Sequence, residues 1–281
     1  MTAQASDMRV AILMAVHASA DPLQLEEALT SILIQTHKKL SIYLYCDGPL
    51  TPEQNAVLAR RLPVDGGHCI VRGQTNRGLP YALNSLIDIA LQDPGLAFMA
   101  RMDADDVSVA ERIEQQVRYL LQHPEIDVLG SWCIEFVEPG VPLFHKQLPT
   151  DPADVGRFMV LRSPLAHPCV MFRRAVLQAG FRYDPSLLQA QDYELWSRLF
   201  CAGYRIANVP SYLLWYRLAK DFYARRAGLS RAWAEFRMRM IFAVRSGQFK
   251  PWHLLGFFAL FVIRIAPASV KRFSYNYLRR G

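Results

Sequence analysis

Four apolar runs alternate with three amphipathic stretches over the first hundred residues, and that alternation leaves few folds open. "MRVAILMAVH" is continuously apolar between polar ends, with no in–out alternation, as a strand covered on both faces of a parallel sheet requires. "DPLQLEEALTSILIQT" then reads as a helix, with Asp21 as N-cap, Pro22 at its first position and an apolar stripe of Leu25, Ala28, Leu29, Ile32 and Leu33. "LSIYLYCDG" is a second strand, "TPEQNAVLARRL" a helix capped by Thr51, "HCIVRG" a third strand, "GLPYALNSLIDIAL" a third helix and "LAFMARMD" a fourth strand. This β-α-β-α-β-α-β order indicates a doubly wound α/β domain. Such sheets bind ligands beyond the carboxyl ends of their strands, which is where Asp47 and Asp103 fall. Downstream, "SVAERIEQQVRYLLQ" reads as a helix, "DVLGSWCIEFVE" as a strand, the segment near 152–161 as a helix and "HPCVMFRRAVLQAGF" as strand then helix. "QDYELWSRLFCAGY" is helical, ending at Gly203, and "YRIANVPSYLLWYR" carries one more short strand.

The fourth strand runs into "ARMDADD", which places Asp103, Asp105 and Asp106 within four positions. Carboxylates this close repel one another, so stability alone does not select them. A hard divalent cation, Mg²⁺ or Mn²⁺, would neutralise them through oxygen ligands and stabilise a departing diphosphate. Asp103 and Asp105, two apart on an extended segment, can point to the same side. Asp106 and Ser108 compete to cap the following helix. The alternative is that all three aspartates are turn and cap residues.

The order and spacing of several stretches resemble those of the family 2 inverting glycosyltransferases with the GT-A fold, in the branch that builds bacterial surface and exopolysaccharides. The stretches are "VAILMAVH", "LEEALTSILIQTHKKLSIYLYCDGP", "NRGLPYALNSLI", "ARMDADDVSVAERIEQQVRYLLQHPEIDVLGSW", "HPCVMFRR" and "QDYELWSRLFCAGYRIANVP", together covering residues 8 to about 220. The resemblance implies a Rossmann-like mixed sheet flanked by helices and a sugar-nucleotide donor, with UDP as the default nucleotide.

It also implies roles for particular residues. Ala15, Val16 and His17 would begin the nucleotide pocket. Asp47, in Cys46-Asp47-Gly48-Pro49 where the family usually has D-D-G-S, would accept from a pyrimidine N–H. Asn76, Arg77 and Gly78 match the N-x-G loop beside the nucleoside; Gly78 would permit close backbone approach, and Arg77 would contact phosphate or base. Arg101 would pair with an aspartate or the diphosphate, Asp103 would contact ribose or metal, and Asp105 would be the main metal ligand. Asp192 would be the base that takes the acceptor's proton. The family's E-D dipeptide is here Gln191-Asp192, so the neighbouring negative charge is absent. His167 matches a position near donor sugar and acceptor, or is a satisfied structural histidine. Trp196 is a core residue of its helix or stacks on the acceptor. Tyr216-Arg217 matches the segment after the base, where a basic residue can reach the diphosphate. The histidine that follows in the family is absent from "YRLAKDF". Arg225-Arg226 are the alternative phosphate contacts, or they face lipid headgroups.

Charge divides the chain at the same place. From Lys220 onward there are thirteen Lys/Arg and two Asp/Glu, a net of +11, whereas the first 219 residues carry a net of −4. "RAWAEFRMRMIFAVRSG" is a basic amphipathic helix, and the next segment is apolar from Trp252 to Ile263 except for His253. That run is short of the ~20 residues a spanning helix needs. Flanked by Trp, Tyr, Lys and Arg, it is expected to lie in an anionic membrane surface rather than cross it. The alternative is a helix packed on the catalytic body. The expected organisation is therefore a glycosyltransferase domain over 1–219 and a membrane-association segment over 220–281. The start "MTAQASDMRV" lacks the pattern of a signal peptide, and the five cysteines are scattered without C-x-x-C pairs. These features point to the cytoplasmic face of the membrane, with a lipid-linked saccharide as acceptor. The apolar face of the tail argues against nucleic acid as its partner. Two other readings of the same residues are a different metal-dependent nucleotide enzyme and a non-catalytic membrane-bound scaffold. "DADDV" lacks the D-x-D-x-T of aspartyl-phosphate phosphatases, and no P-loop is present.

Overall fold

The computed structural model describes residues 3–187, 189–219 and 228–266. The strands are β1 (Arg9–Val16), β2 (Leu40–Cys46), β3 (Cys69–Arg72), β4 (Leu96–Asp103), β5 (Val107–Ser108), β6 (Val128–Phe136), β7 (Pro142–Lys146), β8 (Met171–Arg173) and β9 (Ile206–Arg217). They form one sheet in the order β3-β2-β1-β4-β8-β6-β9-β5, with β7 paired to β6. The first four run parallel, as the early alternation predicts, and β8 is antiparallel to both β4 and β6. The sheet is mixed and open, with helices on both faces, as the sequence leads one to expect.

Successive side chains of the central strands enter opposite cores. Ile12, Met14 and Val16 of β1 pack with Leu25, Leu29 and Ile32 of α2 (Pro22–Leu33), Val57 and Leu58 of α3 (Pro52–Arg61), and Ile113 and Val117 of α5 (Arg112–Gln122). Ala11 and Leu13 face the other layer, with Leu83 and Leu86 of α4 (Leu79–Ala90), Met159 of α6 (Pro152–Met159), Val176 of α7 (Arg174–Gln178) and Leu195 of α8 (Gln191–Cys201). Burial on both faces is why these strands read as unbroken apolar runs. Asp21 caps α2 by accepting from Leu23 N–H, and Thr51 with Gln54 forms a capping box on α3. A short helix, α1 (Ala3–Asp7), precedes β1 and has no counterpart in the sequence reading.

Two boundaries differ from expectation for tertiary reasons. The helix expected from Ser108 starts at Arg112, because Val107 and Ser108 pair antiparallel with Trp215 and Leu214 of β9. Neither Ser108 nor Asp106 caps it; Ser108 N–H donates to Ser31 Oγ at 3.0 Å instead. The short strand expected after Gly203 is a twelve-residue strand, β9. It absorbs Pro210 in a bulge: Val209 faces Ser131 and Tyr212 faces Trp132, so the exposed proline owes no ladder hydrogen bond.

Beyond residue 228, α9 (Leu229–Arg245) and α10 (His253–Ile265) pack on one another, and α9 packs against α8. Phe242 is buried with its ring 5.6 Å from Phe200 and 6.2 Å from Tyr193, and Phe257 is buried in the same core. The opposite side of the pair leaves Trp233, Val244, Trp252, Leu255 and Phe258 exposed. No helix among the described residues is long and apolar enough to cross a membrane. Arg225-Arg226 and the basic stretch 267–281 lie outside the described residues.

Candidate active site

The carboxyl ends of β1, β2 and β4 lie side by side, which brings three distant stretches of sequence together. Ala15 is in register with Tyr45 on one side and Asp103 on the other. Asp47 N–H donates to Val16 O at 2.7 Å, so the chain turns out of β2 directly beside the end of β1. The buried Asp47 carboxylate then accepts from Arg77 N–H at 2.7 Å and Gly78 N–H at 2.9 Å, one to each oxygen. The expected nucleotide-loop residues are thereby fixed to one another: Asp47 serves as the anchor of the Asn76-Arg77-Gly78 turn. Two glycines make this approach possible. A Cβ on Gly48 (φ 91°) would lie 3.1 Å from Asn76 N, and Gly78 starts α4 at φ 88°. Arg77 stacks its guanidinium 3.5 Å over Tyr81, whose ring meets Tyr45 edge-on at 6.0 Å. His17 is exposed in the loop after β1; its Nδ1 lies 2.8 Å from Ser19 Oγ.

Asp103, Asp105 and Asp106 converge, with one carboxylate oxygen from each lying within 4.8 Å of the others. Asp106 thus belongs with the other two rather than at a helix start. One of its oxygens accepts from Arg217 N–H at 2.7 Å, while the other, Oδ2, is buried without a partner. Burial, then the charge of Asp103, raises the Asp105 carboxyl to about 6. Asp106 is raised well above the ordinary range by burial and by both neighbouring charges. Three carboxylates around an unpaired buried oxygen form a hard-oxygen donor set that a divalent cation fits, and the cation would relieve the repulsion that raises these groups.

Positive charge supports the cluster from within. Arg101, 1% exposed, ion-pairs with Asp103, and its carbonyl accepts from Nη2 of the fully buried Arg112 at 2.7 Å. Arg217, expected at a diphosphate, is placed against the aspartate loop. Its Nε donates to Asp105 O at 2.7 Å, its Nη2 pairs with Glu27 at 2.5 Å, and its guanidinium lies 4.5 Å over Phe136. It holds the aspartate loop in place rather than reaching outward.

The remaining candidates gather on the side of α8. Asp192 stands in the first turn of that helix, after Gln191 and after Ala190, which adopts a left-handed φ of 55°. Among the described residues Ala190 is the one non-glycine with positive φ, a costly conformation of the kind that concentrates at functional sites. His167 Nε2 lies 2.9 Å from the hydroxyl of Tyr183. Burial, then the charge of Arg101, holds the His167 imidazolium well below its usual range. Trp196 is 0% exposed, packed 5.6 Å from Phe172 and 6.1 Å from His167. With no exposed surface it offers no face to an acceptor, and it packs against His167. Tyr183 was not legible as a site residue. It is buried, and the charges of Arg101, Asp192 and Asp103 all act on its phenol, which puts it between the aspartate loop and α8.

The family model described as Glycosyl transferase family 2 matches residues 12–181, more than half of the chain and including both aspartate sites of the sheet. The chain belongs to this family. Among curated relatives it is similar to the "Amylovoran biosynthesis glycosyltransferase AmsE" of Erwinia amylovora, at 31% identity over 96% of this chain and 99% of that one. It is also similar to the "UDP-Gal:alpha-D-GlcNAc-diphosphoundecaprenol beta-1,3-galactosyltransferase" of Escherichia coli, at 26% identity over 95% of each chain. Among solved structures, the mannosyltransferase PcManGT from Pyrobaculum calidifontis, in complex with GDP-Man and Mn²⁺, superposes with a TM-score of 0.61 at 16% identity. That match covers 96% of this chain and 80% of the other. The protein is thus a family 2 glycosyltransferase on a GT-A fold, with its acidic cluster at the strand end where that fold carries its ligands.

Proposed function

We propose that this glycosyltransferase moves a sugar from a nucleotide-diphosphate donor, UDP-linked by default, to a hydroxyl of a lipid-linked saccharide, with inversion at the anomeric carbon. The observation that carries this reading is the convergence of Asp103, Asp105 and Asp106, with a buried unpaired oxygen, beside a nucleotide loop pinned by Asp47. Asp47, Asn76, Arg77 and Gly78 seat the nucleoside, and the turn at Ala15 to His17 closes the other side of the pocket. Asp103 and Asp105, with Asp106, would hold Mn²⁺ or Mg²⁺, which when bound supplies Lewis-acid stabilisation of the departing diphosphate. Arg101 orients Asp103, and Arg217 fixes the loop that bears Asp105. Asp192 removes the acceptor hydroxyl's proton on the face opposite the leaving group, which is the geometry inversion demands. Gln191 and His167 border the sugar and acceptor. The relatives' names support a polysaccharide acceptor, and one names a diphosphoundecaprenol-linked sugar.

The pair α9–α10 suits such a substrate. It carries the exposed apolar residues Trp233, Trp252, Leu255 and Phe258, with Arg237, Arg245 and Lys250 at the surface beside them. An apolar ridge with basic flanks favours contact with an anionic leaflet at the cytoplasmic face, without spanning it. The test is a panel of sugar nucleotides mixed with the full chain and vesicles, in Mn²⁺, Mg²⁺ or EDTA. Metal-dependent binding or slow hydrolysis of one donor is expected. Failure of every sugar nucleotide to bind the folded protein refutes the reading.

A further inference from the structure

We propose that Tyr183 fixes His167 as the Nδ1–H tautomer and so makes the imidazole a hydrogen-bond donor to the sugar nucleotide; the donor role rests on the reading of this cleft given above. The argument begins with the tyrosine. The residue is 2% exposed, and its hydroxyl lies 2.9 Å from His167 Nε2. Burial pushes the phenol's pKa up, so the proton stays on the oxygen. A buried hydroxyl must place that proton on an acceptor. Among the described residues its hydrogen-bond partner is the His167 ring. Nε2 therefore accepts. A neutral imidazole that accepts at one nitrogen carries its proton on the other. The ring is kept neutral by burial and by the nearby charge of Arg101.

The rest of the surroundings hold this arrangement in place. Asn84 of α4 clamps the tyrosine backbone in both directions: Tyr183 N–H donates to Asn84 Oδ1 at 2.9 Å, and Asn84 Nδ2 donates to Tyr183 O at 2.8 Å. Trp196 packs against the imidazole at 6.1 Å, with the rings near perpendicular. The other nitrogen is treated differently. His167 Nδ1 has no hydrogen-bond partner among the described residues, and the residue as a whole is partly exposed. Tyr183 lies close enough to Arg101, Asp103 and Asp192 for each of their charges to act on it. The ring that carries this N–H thus lies against a tyrosine on which both the aspartate loop and the helix of Asp192 act, beside the place where the oxygen-rich sugar diphosphate would lie. Tyr183 acts through His167 and is a positioning residue.

Ring nitrogens of the ¹⁵N-labelled full chain, read by long-range ¹H–¹⁵N correlation near pH 7.5, decide the tautomer without any ligand. The His167 signals are assigned by their loss in His167→Asn. The expected spectrum has His167 protonated on Nδ1 and bare on Nε2. Tyr183→Phe should shift the ring toward the Nε2–H form and raise the dissociation constant of the productive sugar nucleotide about tenfold, the worth of one hydrogen bond, with kcat changed less. His167→Asn places its amide where Nδ1 stood and should retain donor affinity; His167→Gln places it where Nε2 stood and should lose about as much as Tyr183→Phe. A wild-type ring protonated on Nε2 overturns the proposal whatever the variants do. A Gln variant that binds donor better than the Asn variant also overturns it. If the wild-type protein binds no sugar nucleotide, the donor role falls with the functional reading, while the spectrum still decides the tautomer.

Discussion

Replacing Asp105 by Asn should stabilise the metal-free protein, and the size of the gain can be worked from the cluster. The Asp105 carboxyl is raised from 3.8 to about 6, first by burial and then by the charge of Asp103. At ~1.4 kcal/mol per unit, the ionised group costs the native state about 3 kcal/mol once it is fully charged. The side chain is partly open to water, which screens the cost, so about 1–2 kcal/mol is the expected gain from removing the charge. The sign follows from the direction of the shift. A raised carboxyl favours the native state while it is protonated, and that advantage is lost as pH rises from about 4 through about 6. Asp105→Asn and wild type should therefore melt together near pH 4 in EDTA. By pH 7 the variant should melt about 2–6 °C higher. Saturating Mn²⁺ should reverse the order, since ligand at a hundredfold excess over its Kd adds about 2.7 kcal/mol to the protein that binds it and nothing to one that does not. Scanning fluorimetry across pH, with and without metal, reads all three. An Asn variant no more stable than wild type at pH 7 in EDTA, or an offset that is the same at pH 4, would refute the account of the cluster as a charge repulsion that a cation relieves.

Three other substitutions separate the parts of the site. Asp192→Asn should lower kcat by about 10²- to 10⁴-fold and leave the donor Kd unchanged, measured by titration calorimetry beside a turnover assay; loss of donor binding would move Asp192 into the nucleotide pocket. Asp47→Ala frees Arg77 and Gly78 N–H together. At about 1.5 kcal/mol for each hydrogen bond to a charged group, donor affinity should fall by roughly 10²-fold, and an unchanged Kd by equilibrium dialysis would mean that the loop keeps its shape alone. Phe242→Ala should cost about 3–5 kcal/mol in urea unfolding, because the ring fills the seam between α9 and α8. A cost below about 1 kcal/mol would make the helix pair a separable appendage.

The parallel half of the fold was legible because each strand's burial is written in its own residues: β1 is apolar on both faces, and Asp21 and Thr51 mark where helices begin. The placement of Asp47 and Asp103 was legible for a related reason, since strand ends in such a sheet must lie together. What stayed hidden depends on pairs far apart in sequence. Arg217 N–H meets Asp106 across 111 residues, and Asn84 clamps Tyr183 across 99, and neither contact leaves a periodic trace. Trp196 could be read as core or as a stacking platform until Phe172 was seen against it. The partners of Arg217 were hidden for the same reason: its guanidinium is held by Glu27 and the Asp105 carbonyl, contacts that span 190 and 112 residues.

The C-terminal helices show the same limit with a functional consequence. Their basic, apolar composition suggested either a lipid-facing surface or a helix packed on the body, and composition cannot separate the two because each helix has two sides. In the structure the pair is packed on the body through Phe242 and Phe257, while Trp252, Leu255 and Phe258 stay exposed on the other side. Phe242 contacts Tyr193, the residue next to Asp192, and Arg239 lies 4.9 Å over the same Tyr193 ring. The surface proposed to touch lipid is therefore one packing layer from the helix that bears Asp192, the proposed base. On the proposed function, a saccharide carried on a lipid would reach the active site from that side, and the packing that orients the helix pair would also set the height of Asp192 above the leaflet.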